Sequence, residues 1–101
     1  MIEYSGILFN WDEGKEIINK KKHGISFEEA MTAFADEHAQ IYNDEEHSDT
    51  EARFILIGYS EESRLLMVCH CYRDSETITR IISARKATRH ERHKYEKENK
   101  P

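Results

Sequence analysis

Three apolar runs with very short gaps between them constrain this chain more than anything else in it. Arg53–Ser60 reads RFILIGYS, Leu65–Arg73 reads LLMVCHCYR and Thr77–Arg85 reads TITRIISAR. β-Branched and apolar residues dominate each run, as in strands buried on at least one face. Only the Glu61-Glu62-Ser63 turn with Arg64, and Asp74-Ser75-Glu76, stand between them. A parallel crossover needs a dozen residues or more, so gaps this short force an antiparallel meander.

The elements around the meander read as helices and weak strands. Asn10 can cap a first helix, with Glu13 at its third position. That helix runs to about Lys22, with Ile17 and Ile18 inward. Lys15, Lys20, Lys21 and Lys22 lie outward or at its end, where cations suit the helix dipole. Gly24 is its natural stop. Ser26 caps a second helix, Glu29 completes a second capping box, and Phe27, Ala30, Met31 and Phe34 form one apolar stripe. After the meander, Thr88 and Glu91 make a capping box for a charged terminal helix. Ile2–Phe9 reads as an edge strand, Ala39–Asn43 as a weak strand and Asp44–Glu51 as an acidic loop. The expected architecture is α+β: two N-terminal helices, an antiparallel β-meander and a C-terminal helix, in one domain over residues 1–101.

Charge is distributed unevenly. Between Ile78 and Lys97 there are seven Lys or Arg against Glu91 and Glu96, a segment of +5 inside a chain of formal charge −5, so the remainder sums to −10. A positive strand-to-helix unit on an acidic body is where an anionic partner is expected. No run approaches the roughly 18–20 apolar residues of a membrane span, and the N-terminus lacks an apolar signal region, so a cytoplasmic location is expected. Cys69 and Cys71 read as buried thiols rather than a disulfide.

Chemistry candidates are few. His70 lies inside an apolar strand. If both hairpin loops have three residues, Arg64 faces Ser60 and His70 lies beside Phe54. On the other side Arg73 faces Thr77, which puts His70 opposite Arg80. A one-residue slip would change that partner, and neither turn contains the glycine that usually fixes such loops. The alternative is a satisfied core histidine. His47 and Glu51 lie four apart with Arg53 following, which is either an acid–base pair on a helical turn or a solvated acidic loop. His90-Glu91-Arg92-His93 is HExH, not the HExxH of a zinc helix. No phosphate-binding Gly-rich loop or serine nucleophile motif is present, and no metal or cofactor is expected.

Read in order, several short motifs carry a resemblance: Asn10-Trp11-Asp12, Lys22-His23-Gly24 with Ser26-Phe27-Glu28-Glu29-Ala30, His47-Ser48 with Glu51 and Arg53, and Arg80-Ile81-Ile82-Ser83-Ala84-Arg85 with Ala87-Thr88. From about Phe9 to Glu96 the chain resembles the BrnT family of toxins. Met1–Leu8 exceeds the usual family start, and Thr79 stands where an apolar residue usually precedes the RIISAR run. The resemblance implies a RelE-like fold and a ribonuclease toxin of a type II toxin–antitoxin pair. It also implies a BrnA-like ribbon-helix-helix antitoxin, operator DNA contacted only through that antitoxin, and a heterotetramer.

Metal-free RNA cleavage needs a base, an acid and fixed positive charge on the phosphate in flight. Arg80 and Arg85 are the expected phosphate clamp and His70 the proton-transfer group, with Glu51 and His47 behind it. Arg53, Arg64 and Arg73 are expected to position RNA, as are Lys22 and His23 unless they serve only as a helix end. Arg89, Arg92, Lys94 and Tyr95 are expected to meet the antitoxin. A non-catalytic module docking an acidic protein partner is the alternative. A DNA-binding regulator ranks below it, since no helix-turn-helix pattern appears.

Overall fold

The computed structural model describes residues 1–48 and 50–99; Asp49, inside the acidic loop, and the terminal Lys100 and Pro101 lie outside the described residues. The chain opens with a hairpin of β1 (Ile2–Tyr4) and β2 (Ile7–Trp11). Helix α1 (Glu13–His23) and helix α2 (Phe27–Thr32) follow, the second running into a 3₁₀ turn at Ala33–Ala35. Next come β3 (Gln40–Asn43), a 3₁₀ turn at Glu45–His47, β4 (Phe54–Tyr59), β5 (Leu65–Arg73), β6 (Ile78–Lys86) and helix α3 (Arg89–Glu98). Among the described residues these strands form one six-stranded sheet, in the order β1-β2-β6-β5-β4-β3. The meander β4-β5-β6 is antiparallel, and β2 runs parallel to β6.

The N-terminal hairpin replaces the single edge strand and moves the first helix. Asn10 and Trp11 belong to β2, so Asp12, not Asn10, caps α1, accepting from the Lys15 N–H at 2.9 Å. The helix is therefore rotated from its expected setting. Ile17 and Ile18 are 60% and 66% exposed rather than inward, and Asn19 is the residue α1 buries. Asn19 does the work of a missing strand. β2 ends at Trp11, opposite Ile81, and leaves the outer edge of β6 open. The Asn19 amide closes that edge: Nδ2 donates to the Ala84 carbonyl (2.9 Å) and Oδ1 accepts from the Ala84 N–H (3.0 Å). A further bond from Nδ2 reaches the Ile25 carbonyl (3.0 Å). Buried backbone groups require partners, and a side-chain amide carries the donor and acceptor of one peptide unit.

One face of the sheet holds the main core. Phe9, Leu56, Leu66, Val68, Ile81 and Ala84 meet Ile25, Phe27, Ala30 and Ala33 from the helical layer. Gly58 lets that layer approach, since a Cβ there would lie 2.9 Å from the Ala33 carbonyl oxygen. Ser26 caps α2 as expected, accepting from the Glu29 N–H at 3.1 Å. Glu29 does not return the bond. Its buried carboxylate instead takes Arg64 Nε (2.8 Å) and the Ser60 hydroxyl (2.7 Å), tying α2 to the β4–β5 turn.

Register decides where the candidate side chains point. Phe54 pairs with His70, as a three-residue first loop requires. The second loop is one residue longer than expected: Arg73 pairs with Ile78, so His70 faces Ile81 and Arg80 faces Cys71. Asp74, Ser75 and Glu76 all take left-handed backbone (φ 49°, 56° and 71°), a conformation the sequence does not advertise with glycine. A bulge between Cys69 and His70 then steps over Ile82, returning Ser83 and Arg85 opposite Cys69 and Met67.

Candidate active-site cleft

The second face of the sheet is only partly covered. Helix α3 docks there through Tyr95, 5% exposed, which packs with Ile57, Leu65 and Met67. The Tyr95 hydroxyl donates to Asp36 Oδ2 at 2.6 Å. The helix starts in the expected capping box of Thr88 and Glu91. Beside it lies an open cleft of about 410 Å³, whose polar walls include His23, Asp44, His47, Arg53, Cys69 and Arg85.

Each wall has a local cause. Arg53 stands one residue before β4, its N–H bonded to Ser48 Oγ (2.9 Å) and its carbonyl to the Asp44 N–H (2.9 Å). That clasp closes the acidic loop and fixes the start of the strand. Among the described residues the Arg53 guanidinium has no ion-pair partner. Arg85, facing Met67 from β6, spends its fork on Glu91, Nη1 to Oε1 at 2.8 Å and Nη2 to Oε2 at 2.9 Å. His47 ends the 3₁₀ turn with Nδ1 at 3.0 and 3.1 Å from the two Asp44 carboxylate oxygens. His23 is the last residue of α1. Burial and then the Asp44 charge push the Cys69 thiol up to about 11, so it stays protonated at neutral pH.

The cleft thus gathers His23, His47, Arg53 and Arg85 from four separate segments. The other expected site residues lie elsewhere. His70 is fully buried on the opposite face, its ring edge against Phe34. Its Nδ1 and Nε2 meet the Val68 carbonyl and the Tyr72 hydroxyl, each at 3.1 Å, and burial pushes its imidazole below its usual value. It is a satisfied core histidine with no exposed surface. Arg80 reaches Asn10 Oδ1 (3.4 Å) and does not line the cleft. Glu51 pairs with Arg73 (3.2 Å), not with His47. Arg64 is engaged by Glu29, which its hydrogen bonds hold below the usual carboxylate range. Lys22 lies beyond the cleft, near Asn19 and Ile82. On α3, Arg89 is exposed, Arg92 donates to the Tyr59 hydroxyl (2.9 Å), and Lys94 sits 5.5 Å above the Tyr42 ring. Tyr95 is the exception on that helix, since its ring is already covered. Asp44 is the cleft residue that sequence reasoning missed; its position three before His47 on a helical turn was the available signal.

Residues 11–91 match the model of a family described as the ribonuclease toxin, BrnT, of type II toxin–antitoxin systems. The chain belongs to the BrnT family. A fold of the same kind is seen in the crystal structure of the Brucella abortus ribonuclease toxin, BrnT. The two superpose with a TM-score of 0.61 over 82% of this chain and 99% of that one, at 23% identity. No curated protein sequence matches the chain. Membership of the BrnT family makes this a ribonuclease toxin whose partner is a protein antitoxin. No helix among the described residues is long and apolar enough to cross a membrane.

The attachment of α3 is expected to be acid-sensitive. The Arg85 fork, helped by the Thr88 N–H, holds Glu91 down at about 2. Burial alone would raise Asp36, but bonds from the Tyr59 N–H and the Tyr95 hydroxyl bring it below its usual value. A carboxylate depressed on folding stabilises fully above its unfolded value, about 4.5 for Glu91, and loses that contribution as pH falls toward the folded value. Hydrogen exchange is expected to show α3 losing protection between about pH 4.5 and 2, before the central strands do. Equal loss in α3 and β5 over that window would contradict it.

Proposed function

We propose that the chain is a metal-independent endoribonuclease toxin with a RelE-like fold, acting through the cleft beside α3. The convergence of His23, His47, Arg53 and Arg85 on one open concavity carries this reading. Arg53 supplies a planar, permanently charged fork suited to phosphate oxygens, while Arg85, its fork held by Glu91, lines the wall beside it. His47 is the proton-transfer group, with His23 the second imidazole within the cleft. A base removes the 2′-hydroxyl proton, the freed oxygen attacks the adjacent phosphorus, and the 5′-oxygen leaves with a proton from the acid. The products are a 2′,3′-cyclic phosphate and a 5′-hydroxyl. Arg73, held by Glu51, and Lys22 flank this route and position the strand. His70 takes no part, because its ring is fully buried.

The same reading makes the chain a growth-arresting cytoplasmic protein of one domain, neutralised by a BrnA-like ribbon-helix-helix antitoxin that brings operator DNA to the complex. The exposed Arg89, Arg92 and Lys94 on α3 are the proposed antitoxin contacts, and covering them closes the cleft from one side. Purified protein incubated with RNA in EDTA is expected to cut and to leave cyclic phosphate ends. Adding antitoxin should stop cleavage and give two copies of each chain by light scattering. Intact RNA with folded protein, or cutting that stops in chelator, would overturn the reading.

A further inference from the structure

Asp44 is buried where a carboxylate has little reason to be. Its side chain is 10% exposed, inside a stretch otherwise rich in solvated acids. It does not cap the 3₁₀ turn that follows it. The local backbone is satisfied without the carboxylate: the Asp44 N–H donates to the Arg53 carbonyl (2.9 Å). The Asp44 carbonyl in turn accepts from the His47 N–H (3.2 Å) and the Ser48 hydroxyl (2.6 Å). What the two carboxylate oxygens hold is one atom, His47 Nδ1. Their other polar neighbour among the described residues is the weakly donating Cys69 thiol, 3.8 Å from Oδ2.

An ionised carboxylate can only accept, so Nδ1 must carry the hydrogen. In a neutral imidazole that leaves Nε2 as the free acceptor, on a side chain 62% exposed at the cleft. We infer that Asp44 is the positioning residue of the site: it fixes His47 in the Nδ1–H form and offsets the charge that appears when Nε2 takes a proton. The inference rests on the proposed ribonuclease reading for its kinetic consequence, but the tautomer is a property of the protein alone.

Two measurements separate those parts. Imidazole nitrogen NMR on the full chain should find neutral His47 as the Nδ1–H tautomer, with the Nε2–H form appearing in Asp44→Asn. A wild-type Nε2–H tautomer overturns the assignment whatever the activity. In RNA cleavage, Asp44→Asn should lower kcat by about 10²–10⁴-fold with little change in KM. Placed on His47→Ala it should cost nothing more, because groups acting as a unit are not additive. Multiplicative losses in the double variant, or a wild-type rate for Asp44→Asn, would reduce Asp44 to a structural residue. A wild-type rate for His47→Ala would overturn the cleft reading instead, and the tautomer result would stand without it.

Discussion

Arg53→Ala is expected to slow RNA cleavage by about 10²–10³-fold, the 2.7–4 kcal/mol typical of losing one transition-state charge contact, with little change in melting temperature. The guanidinium has no ion-pair partner among the described residues, so its removal breaks no ion pair among them. The loop clasp at this position is made by backbone atoms and survives the substitution. Arg85→Ala is the less clean experiment. It removes a cleft cation and also strands Glu91 at the start of α3. Arg53→Lys should recover only part of the rate, since an ammonium keeps the charge but loses the fork. Full activity in Arg53→Ala would remove this residue from the reaction, and a collapsed circular dichroism spectrum would make its role structural.

Asn19→Ala is expected to be the most destabilising single substitution outside the apolar core. It leaves the Ala84 N–H, the Ala84 carbonyl and the Ile25 carbonyl without their partner. A buried polar group left unsatisfied costs about 1–3 kcal/mol. With some relief from entering water, a loss of about 3 kcal/mol or more follows, or roughly 12–24 °C in melting temperature for a domain of this size. Asn19→Asp should do no better, because it keeps the acceptor but sets a carboxylate against two carbonyl oxygens. Thermal melts of both variants decide the matter, and a shift of only a degree or two in Asn19→Ala would mean that α1 is held by other contacts.

The meander was legible because loop length alone restricts it, and the Phe54–His70 pairing followed from simple counting. Counting failed at the next loop, where three non-glycine residues adopt left-handed backbone and lengthen the turn by one. That slip took His70 away from Arg80. Ile17 and Ile18 misled for a different reason. Periodicity reports where apolar side chains repeat, whereas the setting of α1 is decided by an unpaired strand edge that only an amide can complete. The pairing of β2 with β6 leaves no local trace at all, since it joins residues far apart in the chain. Among the cleft residues, His23, His47, Arg53 and Arg85 were recognisable by type and motif. Asp44 was hidden among neighbouring acids, and its burial, not its identity, sets it apart.

The parallel β2–β6 pair also bears on how the protein is made. Trp11 cannot meet Ile81 until 70 further residues have been added, which at roughly 5–20 residues per second takes about 4–14 s of synthesis. Until then the first hairpin has no neighbour, and an isolated hairpin is marginal in water. Arg85 and the helix behind it emerge later still. Until β6 and α3 follow, the nascent chain therefore carries neither the complete sheet nor the complete cleft. On the proposed reading, cleavage can begin only once Arg85 and α3 have followed, and that delay is an interval in which a previously made antitoxin can be waiting.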